Sequence, residues 1–579
     1  MSLSSRNENS ATRHRLDDSR IVGCIAIAWA SLLVGNALVL PPCEGFDENA
    51  HFSYISVLAD TGEIPDFRST PVDGRLARER RGLPIPYGAA SPFDRNGGTT
   101  YAVFWRLPQS ERMASLERWW RPPPHSARYE PDKTPNWQGQ HPPLYYALMA
   151  VPYRLTSHWS PGNQLTALRL SSVALAWAGV LFWLATLRRV ESASARRTVL
   201  GAGLVVLWLP SCWYDLGRLG NDSLTCLVMS AVFYFLVCGA RQGWYGWRDT
   251  CGLASALTVG LWTKGFFVPV WAASVLFVLW GCTRNSRLSR IAGIGRVAII
   301  VLVPAVAIMP WLLWCLHRYG TPFPTVDLYR FAERGRPPEA DIGVWRSTWE
   351  MLRKLVGSAR TFLWCGTWSW VKRPLWTYGL MAPLLLTACA GLFSRQSWRD
   401  RETGQLRMAA CVIVAGLVAG FVHFYSRCIY WTGSAIGGEG YYYFVAWLAV
   451  GTLLAGGAIP ASGNTLRWLT PCALAAAWVF EISGHWLLFQ LYAGVAQKME
   501  PHGYASGTIW PTPDNLELVL GRLDQLTWSR AGMIAYAIAA LCRWGAVLLL
   551  ARPTRDHRSD RSFTKSREAA AADRGDRPA

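Results

Sequence analysis

Apolar runs of about twenty residues recur along the chain, separated by segments rich in Arg, Pro, Gly and Trp. Runs such as IVGCIAIAWASLLVGNALVL (21–40) and VAIIVLVPAVAIMPWLLWCL (297–316) carry no charged side chain. At about 1.5 Å per residue they are long enough to cross roughly 30 Å of hydrocarbon. The pattern predicts an all-α polytopic membrane protein with about twelve spans, at 21–40, 166–187, 198–214, 222–240, 250–263, 265–282, 295–317, 374–393, 406–425, 440–459, 467–490 and 531–551. PPLYYALMAVPYRL (142–155) is too short to span and is predicted to be a juxtamembrane helix on the outer side. Arg13, Arg15 and Arg20 precede the first run as they would in a signal peptide, but no small-residue cleavage site stands before PPCEGF, so the run is read as an anchor.

Basic residues decide orientation. LRRVESASARR, RQGWYGWR, CTRNSRLSRIAGIGR, FSRQSWRDRETGQLR and ARPTRDHRSDRSFTKSR all fall on one side of the predicted bundle, which the positive-inside rule makes cytoplasmic. Both termini are then cytoplasmic, in the inner (cytoplasmic) membrane of a cell. The expected organisation is a cytoplasmic segment 1–20, a membrane domain 21–551, and a disordered basic tail 552–579. Three long connections face outward, at 41–165, 318–373 and 491–530. The formal charge of +20 thus reports topology, and nucleic acid is not an expected partner.

Composition agrees: 51% of residues are hydrophobic, only 17% are charged, and 32 are Trp. The Trp residues of the outer loops, as in SARTFLWCGTWSWVKRPLW, suit an interfacial belt or the stacking of sugar faces and prenyl chains. The fourteen Cys include no CxxC pair and lie mostly within apolar runs, which predicts neither a metal site nor a disulfide framework. Only Cys43, Cys365 and Cys428 fall in outer connections.

Four outer motifs carry candidate chemistry. In EGFDENAHFSY (44–54), Pro41 and Pro42 end the first span and a helix is predicted from Asp47 to Gly62, with His51 and Tyr54 on the side of Asp47. Asp47 is either a helix cap or a carboxylate whose pKa is adjusted for use as a base, with Glu48 and His51 beside it. In NWQGQHPPLYY, His141 precedes two prolines that fix it near the membrane surface, where it could meet a phosphate or a hydroxyl. In LWTKGFFVPV, Lys264 either snorkels or binds an anionic headgroup. In YDLGRLGNDSLTCL, Asp215, Arg218, Asn221 and Asp222 share an outer turn, and Asn221 or Asp222 could simply cap the next helix. Arg543, inside the last span, has no obvious sequence partner and is expected to face the bundle interior.

Together, Asp47-Glu48 after the first span, HPPLYY (141–146), Asn221-Asp222, Thr263-Lys264 and HRYGTPF (317–323) resemble the GT-C superfamily of membrane glycosyltransferases. Within it the chain looks most like the protein O-mannosyltransferase and aminoarabinose transferase group, of the glycosyltransferase family 39 type. The resemblance implies a polyprenyl-phosphate sugar donor, a glycan, lipid or protein acceptor, inversion at the sugar, and Asp47 as general base with Glu48 as the fallback. His141, Lys264 and Arg218 would then bind the phosphate, and His51, Asn221 and Asp222 would line the substrate site. No cofactor is implied, and a divalent metal is left open. The chain has Phe46 where relatives often have Pro, and Gly440-Tyr441-Tyr442 where many have Gly-Arg-Tyr. Two rival functions are a transporter or flippase for a lipid-linked saccharide, which predicts broken or charged helices at mid-membrane, and a non-catalytic subunit of an envelope-assembly complex.

Overall fold

A computed structural model describes residues 3–87, 99–123, 128–244, 246–286, 288–393, 396–458, 464–499 and 503–551. The tail 552–579 lies outside the described residues. The chain is overwhelmingly α-helical. Its only strands among the described residues are two short antiparallel pairs, Pro71–Asp73 with Pro131–Pro135 and Gln497–Met499 with Tyr504–Ser506.

Among the described residues nine helices are long and apolar enough to cross a membrane, or ten if one sharply bent pair counts as a single span. All twelve predicted segments are largely helical over their described residues. The count falls because Trp247–Leu261 is only 15 residues long, and because the apolar helix Gly440–Ala455 is also short and opens with a 3-10 stretch. The predicted span 198–214 is the bent pair: Ala193–Trp208 and Pro210–Leu216 meet at 82°. Pro210 supplies no backbone N–H, so the ladder stops there. The first span is Ser19–Val39, close to the prediction, and its helix extends back to Leu3, through most of segment 1–20.

Packing follows the small residues. The first span lies along the last, Ser529–Ala551, and a Cβ on Gly532 would stand 3.0 Å from the carbonyl of Gly35. That close approach is how membrane helices gain contact without a hydrophobic force between them. Trp29, Trp183, Trp208, Trp213 and Trp447 are buried in the core, while in SARTFLWCGTWSWVKRPLW Trp364 is buried, Trp368 and Trp370 are half-buried and Trp376 is exposed. Arg543 does have a partner: it pairs with Glu481 (2.6 and 3.0 Å) and donates to the carbonyl of Leu207 (2.9 Å), a group next to the break that an intact helix would have satisfied.

The connection between the first two predicted spans, 41–165, folds back on the bundle. Helix Glu48–Thr61 ends at Gly62, whose φ of 76° requires a residue tolerant of the left-handed region. It packs on the predicted juxtamembrane helix, which runs over Leu144–Leu155. The Tyr54 and Tyr146 rings stack at that seam, with centroids 3.6 Å apart.

Candidate functional site

Asp47 sits at the head of its helix but does not cap it. Its backbone is left-handed (φ 58°) and its side chain makes no capping bond. Instead the indole N–H of Trp137 donates to its carboxylate at 2.8 Å. Burial pushes the Asp47 carboxyl above the usual carboxylate range; the Trp137 bond and the charges of Arg218 and Lys264 oppose that rise, and Asp327 adds to it. A half-buried carboxylate with a raised pKa and one fixed donor is poised to accept a proton.

Glu48 occupies a different environment. Fully buried, it forms a two-pronged pair with Arg169 (2.8 and 2.6 Å) and accepts from the backbone N–H groups of Leu219 (3.0 Å) and Gly45 (3.1 Å). Arg169 also donates to the carbonyls of Leu40 and Pro41, so this pair fastens the end of the first span to the turn that carries Asp47.

The second constellation is a chain of four charges. Arg218 bridges Asp215 (2.7 Å) and Asp222 (2.6 Å), and Lys264 pairs with the other Asp222 oxygen. Arg218 donates further to the carbonyl of Phe46 (2.9 Å), one residue from Asp47. Lys264 does not snorkel: it is buried over the rings of Phe266 (4.6 Å) and Tyr442 (5.0 Å). Nor does either cap candidate cap. Asp222 gives its carboxylate to the two cations, and the Asn221 side chain makes no capping bond and has no hydrogen-bond partner among the described residues.

His141 follows the short helical turn Trp137–Gln140 and is tied in place by Tyr54, whose hydroxyl donates to its carbonyl (3.1 Å). Burial and then Lys264 drive its imidazole down to about 3, so it is neutral at physiological pH. His51 is likewise neutral, held well below the usual range by burial and by the charges of Arg218 and Lys264, and its Nδ1 meets the Tyr146 hydroxyl at 3.0 Å. The eight residues singled out from sequence thus gather at one end of the bundle. Lys264 acts electrostatically on Asp47, His51 and His141 alike.

Sequence inspection passed over Trp137, Arg169 and Glu44. Glu44 is buried, and it accepts from Tyr101 (2.8 Å), Thr367 (2.7 Å) and the N–H of Ser369 (3.0 Å), which joins the connection 41–165 to the connection 318–373. Thr367 also meets the Tyr492 hydroxyl (2.8 Å). Burial raises Glu44 to about 6 against these three bonds. The two segments are strained as a pair: Cys43 and Asp47 on one, Thr367 and Trp370 on the other, all have positive φ (61°, 58°, 53° and 50°). Non-glycine residues persist in that region only where the surroundings enforce it, and such residues cluster at functional sites.

Among the described residues no three or more His, Cys, Asp or Glu side chains are placed to hold a metal ion. Cys43, Cys365 and Cys428 are all free thiols. A separate cleft of about 320 Å³ opens elsewhere in the first connection, beside Phe52, Arg75, Trp159 and Gln164.

No protein family and no curated protein matches the sequence. Solved structures similar to the chain include ArnT from Cupriavidus metallidurans bound to undecaprenyl phosphate (15% identity, 92% of this chain and 76% of that one, TM-score 0.37) and the same protein in the apo state (18%, 83% and 75%, TM-score 0.36). These are loose superpositions.

Proposed function

We propose that the protein is a membrane glycosyltransferase that moves a sugar from a polyprenyl-phosphate donor to an acceptor hydroxyl, with inversion. The observation that carries this reading is the state of Asp47: it is freed from helix capping, raised in pKa, and set beside a buried cluster in which Arg218 and Lys264 pair with Asp215 and Asp222. Asp47 takes the acceptor proton, the acceptor oxygen bonds to the anomeric carbon, and the bond from that carbon to the phosphate oxygen breaks. Polyprenyl phosphate departs with the bonding electrons.

Cations near the leaving group stabilise its developing charge. Lys264 uses one of its three N–H groups on Asp222, leaving two for phosphate. Arg218 is bound on three sides and serves to set the potential and to hold the carbonyl of Phe46. Neutral His141 can donate or accept one bond at a phosphate or sugar oxygen. Asn221, with its amide free among the described residues, suits a sugar hydroxyl. Glu48, consumed by Arg169, fixes the turn.

Incubating the purified protein with polyprenyl-phosphate sugars tests this: release of polyprenyl phosphate coupled to acceptor glycosylation supports it, and absence of transfer from every donor overturns it. A second reading, transport of a lipid-linked saccharide, is favoured by one feature, the 82° break that Arg543 and Glu481 stabilise. Flipping of a labelled lipid in proteoliposomes, without transfer, would establish that alternative.

A further inference from the structure

Helix Gly343–Leu363 is strongly two-faced, and only one of its faces is accounted for by the fold. Met351, Leu355 and Ser358 turn inward. They pack on the buried cluster Phe421, Tyr425 and Ile429 near the end of the span Arg401–Thr432, and Ser358 accepts or donates at the Tyr425 hydroxyl (3.3 Å). The same side is pinned to the segment that carries Tyr441 and Tyr442. There Lys354 pairs with Glu439 (2.7 Å), and the N–H of Gly440 donates to Thr361 (2.7 Å). The helix is therefore fixed at the end of the bundle that holds Asp47 and Lys264.

The opposite side is apolar and bare. Trp345 (89% exposed), Trp349 (64%), Leu352 (51%) and Val356 (72%) are spaced 4, 3 and 4 residues apart, which places them in one stripe. Along the edge of that stripe stand Arg346, Arg353 and Arg360, repeating every seven residues and all exposed. Arg353 is held by Glu350 (2.7 Å); Arg346 and Arg360 form no salt bridge among the described residues. Stripe and row meet in an open groove of about 430 Å³ lined by Trp349, Leu352, Arg353, Val356 and Arg360.

We propose that this helix lies in the membrane interface, with Trp345, Trp349, Leu352 and Val356 among the acyl chains, and that the arginine row binds the phosphates of anionic phospholipid headgroups. Its position fits: it packs at the end of a span, where headgroups lie. Its chemistry fits as well, because an apolar stripe with aromatic residues is the inserting face of an interfacial helix. Arginine pairs with phosphate through two parallel N–H bonds, and basic residues at this depth are drawn to anionic lipid. Three arginines in register with an inserted stripe give a site specific for charge, which the apolar stripe alone would lack.

Hydrogen–deuterium exchange of the full chain in nanodiscs of phosphatidylglycerol or phosphatidylcholine tests this through the peptides covering 343–363. The expected result is exchange several-fold slower in phosphatidylglycerol, with that difference lost in the triple variant R346Q/R353Q/R360Q and kept when the three are changed to Lys. Equal exchange in the two lipids, or a Gln variant as protected as the wild type, overturns the proposal. Protection that grows with the number of chains per disc in phosphatidylcholine would assign the face to a second copy and overturn it equally. If the triple Gln variant unfolds throughout, the single Arg346→Gln, at an exposed position with no salt bridge among the described residues, decides by the same comparison.

Discussion

The ring of Phe46 lies flat on that of Tyr441, with centroids 4.5 Å apart and planes 6° from parallel. These are two positions at which the chain differs from the pattern it resembles, and they meet. Trp370 flanks Phe46 at 4.9 Å, and the Arg218 guanidinium lies over the same ring at 5.7 Å. The stack fastens the turn carrying Asp47 to the segment carrying Tyr442. Phe46→Ala should therefore cost about 3–5 kcal/mol, the usual range for emptying a buried aromatic site, and loosen Asp47 as well. The check is thermal unfolding in detergent alongside transfer rate, and both should fall.

Trp137→Phe removes the single side-chain donor on the Asp47 carboxylate among the described residues. That bond favours the charged form, so its loss should raise the already elevated pKa of Asp47 further. A hydrogen bond to a charged group is worth about 1.5–3 kcal/mol, or roughly one to two pKa units. A base must be deprotonated to act, so the acidic limb of the pH–rate profile should move to higher pH by about that much. The rate at high pH should recover. A uniform loss at every pH would deny Trp137 this role.

Glu48→Gln and Arg169→Ala each leave half of a buried ion pair unmatched, at a cost of about 3–5 kcal/mol. Folded yield and melting temperature should drop for both variants, while the Glu48→Gln molecules that do fold should keep their transfer rate per molecule. A stable Glu48→Gln protein with no transfer would instead make Glu48 the base.

Glu44 is protonated more readily in the folded chain than in the unfolded one, at about 6 against a usual 4.5. For a carboxyl raised in this way, stability is fully present below about pH 4.5 and declines as pH rises through 6. The total is about 2 kcal/mol at 1.36 kcal/mol per unit. Glu44→Gln keeps an acceptor for Thr367 and Ser369 without the charge, so its melting temperature should lack that decline. A decline of the same size in the variant would place the titrating group elsewhere.

The membrane architecture was legible because about twenty apolar residues in a row have few fates, and so was the end of the bundle where buried polar side chains gather. Asp47, Arg218, Asp222 and Lys264 could be named because a charge beside a span is costly and therefore conspicuous. What could not be read is how those residues divide the work. Asp47 and Glu48 are adjacent in sequence, yet their environments are set by Trp137 and Arg169, which lie 90 and 121 residues away. Glu44 carried no signal of its own in the sequence, because its three donors come from positions 101, 367 and 369. The break at Pro210 was hidden because the run around it stays apolar on both sides.

The most direct measurement is the transfer rate of Asp47→Asn under saturating donor. Asn retains an oxygen for the Trp137 indole and the shape of the turn, but it cannot take the acceptor proton. The account predicts an intact fold with transfer reduced by roughly 10²–10⁴, the usual contribution of a positioned base. Transfer by Asp47→Asn at the wild-type rate would contradict it.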